Sequence, residues 1–258
     1  MIELNNIYNI DCLIGMDKMI EQGIKVDAII TDPPYGTTNC KWDSVILFEE
    51  MWKRLKLLRN KDAPIILFGS EPFSSALRMS NIKEYKYDWK WNKTVAGNPL
   101  IAKYRPLGIF EDIMVFGKGK VNYYPIMEEA KQENIRPIGV SKKKTDLLAG
   151  IKSGQFQPQE NYNPNMRYPK NEIVISSREG ECNPLNRLHP TQKPVALMEY
   201  LINTYTKEND VILDFTCGVA STIIGCINTN RQYIGFELDE NYYNIAVERI
   251  NNTYNELN

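Results

Sequence analysis

The stretch that decides the fold is residues 26–35, Val-Asp-Ala-Ile-Ile-Thr-Asp-Pro-Pro-Tyr. Its first six residues are rich in β-branched side chains, which favour a buried strand. Two consecutive prolines follow, and because proline lacks a backbone N–H it cannot continue a central strand. The sequence therefore predicts a buried strand that ends at Thr31 and opens into a rigid loop over residues 32–35.

The segments around that loop alternate between strand and helix patterns. Apolar residues in 43–58 recur with helical spacing, and 63–68 is a second short apolar run closed by glycine. Further strands are predicted at 87–91, 110–116, 211–215 and 232–237, and helices at 191–205, 220–228 and 241–252. This alternation predicts an α/β fold, with a doubly wound, mostly parallel sheet, helices on both faces and ligands at the carboxyl ends of the strands.

The chain length of 258 residues is within what one hydrophobic core supports, and no Pro/Gly/Ser-rich linker divides the sequence. We therefore expect a single domain over 1–258 with an inserted region over about 95–186. Residues 117–186 are polar and show little periodicity, so they are predicted to form loops with short helices.

The composition is that of an ordinary globular protein, with 43% hydrophobic and 24% charged residues, which excludes a disordered or collagen-like chain. The apolar runs are too short to span a bilayer and the first ten residues lack a signal-peptide pattern, so we expect a cytoplasmic protein without a membrane partner. Five cysteines without paired spacing and a single histidine, His189, predict neither a metal site nor a disulfide framework.

The charge is distributed unevenly although the formal net charge is only −1. Residues 83–193 hold 19 Lys and Arg against 12 Asp and Glu, whereas the rest of the chain holds 12 against 20. The basic middle is interleaved with tyrosine and tryptophan, a pattern typical of a surface that faces phosphates and bases. A solvated face with core aromatics explains the same pattern, so charge alone does not decide between the two interpretations.

Residues 32–35, Asp-Pro-Pro-Tyr, suit the transfer of a group to an aromatic amino nitrogen. The lone pair of such a nitrogen is delocalised into the ring, so a useful site must accept both amino hydrogens. The Asp32 carboxylate and the Pro33 carbonyl can supply the two acceptors, and Tyr35 can stack on the ring. Two stiff prolines, Pro33 and Pro34, pre-organise the loop. The alternative interpretation is a proline-rich turn that closes a strand.

A second loop, residues 214–222 with the sequence Asp-Phe-Thr-Cys-Gly-Val-Ala-Ser-Thr, stands between a predicted strand and a predicted helix. Glycine in such a corner lets the backbone approach a ligand closely and aims helix N-terminal amides at it. About 20 residues after the corner, Glu237 ends the next strand, where a carboxylate can bind ribose hydroxyls in doubly wound folds. A nicotinamide dehydrogenase shares this geometry, so the spacing does not discriminate between cofactors.

Together these motifs resemble the DNA amino-methyltransferases, whose catalytic motif is [DNS]-P-P-[YFW] at the end of a strand. Residues 8–13 with 26–35 resemble the family's N-terminal block, and 189–194 match its H-x-T-Q-K-P segment. The order of the motifs, with the catalytic loop first and the cofactor corner last, is similar to the beta group, whose chains resemble circular permutations of the common fold. The similarity covers about residues 4–118 and 187–250 and implies a seven-stranded-type methyltransferase sheet.

The resemblance implies S-adenosyl-L-methionine as the cofactor. It assigns catalysis to Asp32, Pro33, Pro34 and Tyr35, and cofactor binding to Asp11, Cys12, His189, Thr191, Lys193, Asp214, Phe215, Thr216, Gly218, Ser221 and Glu237. The resemblance places Asp11 and Cys12 on the adenine side of the cofactor, although taken on their own these two residues are better explained as a turn before a helix. Lys193 is expected to neutralise the cofactor's carboxylate, and Thr191 to bond that carboxylate or to cap the following helix. For His189 a hydrogen-bonded structural role is expected rather than an acid–base role, because this kind of methyl transfer needs no histidine base.

The cofactor corner departs from the family's D-P-F-x-G-S-G-T-T pattern. Phe215 stands for Pro, Thr216 for Phe, Val219 for Ser, and Ala220 for the second Gly.

The function implied by the resemblance is methyl transfer to an exocyclic amino group of a flipped base in double-stranded DNA. Aspartate at the head of the loop favours N6 of adenine over N4 of cytosine. Methylation of RNA or a protein amide, a DNA-binding protein with a decayed cofactor site, and an NAD-dependent oxidoreductase are the alternatives. Expected partners are the DNA, a second copy in a homodimer and a cognate restriction endonuclease. The expected DNA contacts in the inserted region are Lys103, Arg105, Lys142, Lys143, Lys144 and Arg167.

Overall fold

The computed structural model describes residues 1–36, 44–97, 99–130, 163 and 165–257. Two compact units divide the chain: Met1–Tyr124 with Asn171–Asn258 form the larger, and Pro125–Lys170 form the smaller. The expected inserted region over 95–186 remains a prediction.

Strands and helices alternate along most of the larger unit. In chain order the elements are β1 (Asn6–Asn9), α1 (Cys12–Glu21), β2 (Ala28–Thr31), α2 (Phe48–Leu58), β3 (Ile65–Gly69), α3 (Phe73–Ser80), β4 (Tyr85–Asn92), β5 (Phe110–Phe116), β6 (Glu128–Glu129), β7 (Met166–Arg167), β8 (Glu172–Val174), α4 (Val195–Tyr205), β9 (Val211–Asp214), α5 (Ser221–Asn228), β10 (Gln232–Glu237) and α6 (Glu240–Leu257). Strands β6 and β7 belong to the smaller unit, where they pair antiparallel. None of the described helices is long and apolar enough to cross a membrane.

The main sheet has eight strands in the order β1-β10-β9-β2-β3-β5-β4-β8. Neighbours from β1 to β3 are parallel, β5 runs antiparallel to both β3 and β4, and β8 is parallel to β4. The predicted doubly wound, mostly parallel α/β sheet is confirmed, and the short strand β8 adds an eighth member to the seven-stranded type.

Both faces of the sheet are covered by helices, as predicted. Successive residues of β2 point to opposite faces: Ile29 packs with α1, α2 and α3, whereas Ile30 packs with α4, α5 and α6. The helix after β2 and the helix after the adjacent β9 therefore lie on opposite faces of the sheet. In a doubly wound sheet this divergence opens a ligand crevice at the carboxyl ends of the two strands.

Two helices begin several residues later than the sequence pattern predicts. The predicted helix over 43–58 begins at Phe48, and residue 43 lies outside the described residues. The predicted helix over 191–205 begins at Val195 because Pro194 has extended backbone angles. The side chain that caps α4 is Glu181, whose Oε1 accepts the Val195 N–H at 2.6 Å, so the capping role suggested for Thr191 is wrong.

Candidate active site

One cavity of about 620 Å³ lies at the carboxyl ends of β2, β9 and β10, within the range of small-molecule sites. Every residue predicted to act in catalysis or cofactor binding lines this cavity. The structure therefore brings both predicted sets together, although the role of each residue remains a prediction.

Side chains at the ends of the adjacent strands β2 and β9 tie the catalytic loop to the cofactor corner. The Thr31 hydroxyl donates to the buried carboxylate of Asp214. The Thr216 hydroxyl donates to the backbone carbonyl oxygen of Asp32 at 3.1 Å. Thr31 was not among the predicted site residues, yet its position directly before the Asp-Pro-Pro-Tyr loop was a signal that could have found it. These bonds hold the two loops in one arrangement.

The carboxylate of Asp32 is bonded through both of its oxygens. The Tyr35 hydroxyl donates to Oδ1 at 2.5 Å, and the Lys193 ammonium donates to Oδ2 at 2.6 Å. The same ammonium and hydroxyl each lie 2.9 Å from Oε1 of Glu111, in β5. Glu111 was missed from the sequence, although two adjacent carboxylates, Glu111 and Asp112, at the start of a strand whose other residues are apolar are an unusual feature that could have indicated it.

The charges in this cluster shift one another's pKa. Burial alone would lower the pKa of Lys193, but the carboxylates of Asp32 and Glu111 raise it above its usual value. Burial also raises the pKa of Asp32 against the opposing effect of Lys193. In Glu111 the effect of burial is outweighed by Lys193 and Lys93, and its pKa is lowered. Lys193 is thus a cation held between two carboxyl groups.

Aromatic rings surround the Lys193 ammonium. Its Nζ lies 5.2 Å from the ring centroid of Phe68 and 5.9 Å from those of Tyr35 and Trp91. At these distances each ring face attracts a cation. The Tyr35 ring also stacks on Phe73, with centroids 5.0 Å apart and an interplanar angle of 26°. The predicted stacking of Tyr35 on a base remains a prediction.

The cofactor corner follows β9 and offers polar groups to a ligand. Gly218 has a left-handed φ of 52°, and a side chain added there would meet open space. Its N–H donates to Oε2 of Glu237 at 2.9 Å, and Oε1 of that carboxylate accepts the Asp239 N–H at 2.8 Å. The Ser221 hydroxyl is buried and has no hydrogen-bond partner in the described part of the chain. These features fit the expected cofactor, since an unsatisfied buried hydroxyl is stabilised by a ligand's polar atom.

Three of the four substituted residues of the corner, Phe215, Val219 and Ala220, are buried. Ala220 adopts the left-handed conformation, with φ 69° and ψ 30°, directly before α5. A left-handed alanine costs about 1–2 kcal/mol relative to glycine. Ala220 is fully buried in the core on the α4, α5 and α6 face, so its packing there can offset this cost. Phe215 is also fully buried.

The carboxyl group of Asp214 is buried beneath the corner, and burial raises its pKa to about 6. Besides the Thr31 hydroxyl, its Oδ1 accepts the Thr216 N–H at 3.2 Å. Asp214 thus orients the backbone of the corner from below.

Asp11 and Cys12 lie at the start of α1, on the rim of the cavity. Oδ1 of Asp11 accepts the N–H groups of Leu13 and Ile14 at 2.9 and 3.2 Å, so Asp11 caps the helix. Burial raises the pKa of the Cys12 thiol to about 12, which keeps the thiol neutral. The structure therefore shows the turn before a helix that the sequence also allowed, and the cofactor contact remains a prediction.

His189 packs edge-on against Tyr242, with ring centroids 4.2 Å apart. Its Nδ1 accepts the Thr191 N–H at 3.2 Å. Burial, together with the nearby Lys193 charge, lowers the pKa of the imidazole to about 4. His189 is therefore neutral near pH 7 and holds the segment that precedes α4.

We expect His189 to titrate near pH 4, well below the ordinary value of about 6.5. Because its pKa is lowered on folding, its stabilising contribution is present above pH 6.5 and is lost as the pH falls toward 4. It is the only histidine in the chain, so its ring protons can be followed individually by NMR. The urea-unfolded chain is the reference, and a folded-state titration near 6.5 would contradict the expectation.

The sequence and fold were compared with known proteins. A family described as "DNA methylase", covering N6 and N4 methyltransferases, matches residues 26–248. The chain is 29% identical over 243 residues to type II methyltransferase M.HpaI of Haemophilus parainfluenzae, covering 89% of this chain and 69% of that protein. It is 24% identical over 267 residues to DNA adenine methyltransferase YhdJ of Escherichia coli, covering 96% of this chain and 83% of that protein. A shorter match, 42% identical over 62 residues, covers 24% of this chain and 20% of M.HindIII of Haemophilus influenzae.

Solved structures share the fold. The M1.HpyAVI–SAM complex has a TM-score of 0.66 and 25% identity, with 95% of this chain and 98% of that chain covered. PvuII DNA methyltransferase, described as cytosine-N4-specific, has a TM-score of 0.64 and 17% identity, with 97% and 91% covered. Because its identity to this chain is only 17%, the PvuII enzyme shows similarity of the fold alone.

Proposed function

Because the chain belongs to the N6/N4 family of DNA methylases, whose cofactor is S-adenosyl-L-methionine, we propose that it methylates N6 of adenine in double-stranded DNA. The observation that carries the proposal is the position of Asp32: its carboxylate lies in the cavity that the cofactor corner also lines, and Thr216 bonds its backbone. Family membership removes the oxidoreductase interpretation.

The cofactor would be held by residues on three sides of the cavity. Glu237 would accept hydrogen bonds from ribose hydroxyls, and the open space at Gly218 would admit the ligand close to the backbone. The Ser221 hydroxyl would bond a polar atom of the ligand, and Asp11 and Cys12 would line the adenine side. When bound, S-adenosyl-L-methionine supplies an electrophilic methyl group.

The Asp-Pro-Pro-Tyr loop would prepare the amino group for transfer. The Asp32 carboxylate and the Pro33 carbonyl would accept its two hydrogens, which directs the nitrogen lone pair toward the methyl donor. Since an amino group inside the base stack is not accessible from this cavity, the target base must be flipped out of the duplex.

Adenine is favoured over cytosine by aspartate at the head of the loop, and YhdJ, which aligns over 96% of this chain, is described as an adenine methyltransferase. The proposed DNA contacts include Lys103 and Arg105, whose side chains are exposed. Arg167 lies in the smaller unit. The other proposed contacts, residues 142–144, lie outside the described residues.

We further propose a cytoplasmic location, a homodimer and a cognate restriction endonuclease. The DNA substrate and the bacterial source of the relatives support a cytoplasmic location. A homodimer would be detected by sedimentation of the purified chain. A cognate endonuclease would be detected by cleavage that methylation of the same DNA prevents.

The test is transfer of labelled methyl from S-adenosyl-L-methionine to unmethylated genomic DNA, followed by mass spectrometry of the released nucleosides. N6-methyladenine is the expected product. N4-methylcytosine would keep the amino chemistry and correct the base. Parallel reactions contain RNA or protein in place of DNA. If either of these becomes labelled while DNA does not, the proposed substrate is wrong.

A further inference from the structure

We propose that Glu111 is a positioning residue of this site, which acts through Lys193 and Tyr35 to hold the Asp32 carboxylate in one orientation toward the target amino group. The inference rests on the proposed function and adds a residue from β5 to the chemistry of the Asp-Pro-Pro-Tyr loop.

The geometry is a closed ring of four side chains. Lys193 donates to Asp32 at 2.6 Å and lies 2.9 Å from Glu111. Tyr35 donates to Asp32 at 2.5 Å and lies 2.9 Å from Glu111. Both groups that hold Asp32 are therefore in contact with the same oxygen of Glu111.

This ring restrains rotation of the Asp32 carboxylate. Each of its oxygens has a different donor, so turning the group about its Cβ–Cγ bond breaks both hydrogen bonds at once. Lys193 has a long, flexible side chain, and a second carboxylate reduces the number of positions that its ammonium can occupy. Removing the Glu111 charge would leave the Lys193 ammonium with fewer restraints. The Asp32 carboxylate would then no longer be held in the orientation that accepts the amino hydrogen.

The burial of the cluster argues against a purely structural role. Glu111 is 9% exposed and Lys193 is 7% exposed. Two carboxylates placed around one buried ammonium repel each other, and such an arrangement is costly compared with an apolar core. Charged clusters of this kind in a cavity are typical of functional sites.

The same strand provides a matched control. Asp112, the next residue, lies on the opposite face of the sheet, where it bonds Arg78 at 2.7 Å and pairs with Lys90. Asp112 is also 9% exposed. Replacing it by Asn removes a carboxylate of equal burial without touching the cavity.

The experiment measures the single-turnover rate of methyl transfer to DNA and the Kd of S-adenosyl-L-methionine for the wild type, Glu111→Gln and Asp112→Asn. Glu111→Gln is expected to lower the rate about 100-fold, the effect of a misplaced catalytic group. Its cofactor Kd is expected to stay within about twofold of the wild type. Asp112→Asn is expected to leave both quantities within about twofold.

A double-variant comparison shows through which group Glu111 acts. If it acts through Lys193, the rates of Lys193→Gln and of the double variant with Glu111→Gln should agree within about threefold, because contacting residues are not additive. The double variant keeps the net charge that Asp32, Glu111 and Lys193 have together in the wild type. The comparison does not use the single Glu111 variant, so it serves if that variant does not fold. Effects that multiply would overturn the coupling to Lys193.

The outcomes separate this inference from the proposed function. The positioning role is overturned if folded Glu111→Gln transfers methyl at the wild-type rate. It is also overturned if an increase in the Kd of S-adenosyl-L-methionine accounts for the whole loss of activity. Either result leaves the proposed function intact. Failure of the wild type to methylate any DNA, with RNA or protein labelled instead, would overturn the proposed function itself.

Discussion

Replacement of Asp32 by Ala is expected to abolish most methyl transfer, lowering kcat by about 10²–10³-fold. The variant loses the proposed acceptor of the target amino group, and Lys193 and Tyr35 lose the carboxylate that they both contact. Cofactor binding should survive in part, because the polar groups of the cofactor corner belong to other residues. The measurement is the initial rate of methyl transfer to DNA together with calorimetric titration of S-adenosyl-L-methionine.

A control from the other end of the same strand tests whether the effect is local. Asp27 precedes β2 and accepts the Val211 N–H at 2.9 Å, so Asp27→Ala removes a carboxylate that also supports the sheet. This control should retain the wild-type rate while losing some stability to urea. Unchanged turnover in Asp32→Ala would remove the proposed mechanism.

The second large effect is expected from Glu237→Ala, which should raise the Kd of S-adenosyl-L-methionine about 100-fold. Two hydrogen bonds from ribose hydroxyls to a carboxylate contribute about 3 kcal/mol together, and 1.4 kcal/mol corresponds to a factor of ten. The carboxylate also accepts the N–H groups of Gly218 and Asp239, so its loss loosens the corner as well. Equilibrium titration of the cofactor measures the change.

Glu240→Ala is a suitable control for this variant, because Glu240 is exposed at the start of α6, three residues further along the chain. Its cofactor Kd should match that of the wild type. Glu237→Gln keeps the size of the side chain but replaces one of the two acceptor oxygens by an NH2 donor, so it loses the bond from Gly218 or from Asp239. Its cofactor Kd should fall between those of the other two variants. An unchanged Kd in Glu237→Ala would show that the cofactor's ribose is bound elsewhere.

Patterns within short stretches of sequence were enough to predict individual strands and the loop that ends β2. The β-branched run before Asp32 specifies a buried strand because side chains alternate between its two faces, and the two prolines end it because they cannot donate to the sheet. The same reasoning located β5 and β10 at the residues where the structure has them. Parallel strands present their carboxyl ends at one edge, so the two loops were predicted to share a crevice.

Only the tertiary structure decided which side chains meet inside that crevice. Glu111 contacts Tyr35 across 76 residues of sequence, and it reaches the site because β5 inserts antiparallel between β3 and β4. The resemblance assigns Lys193 to the cofactor's carboxylate, which remains a prediction; the bond that Lys193 makes to Asp32, 161 residues away, is visible only in the structure. Strand order and direction arise from the packing of the whole chain. A local pattern of apolar and polar residues indicates which face a side chain takes, but not the partner that it finds there.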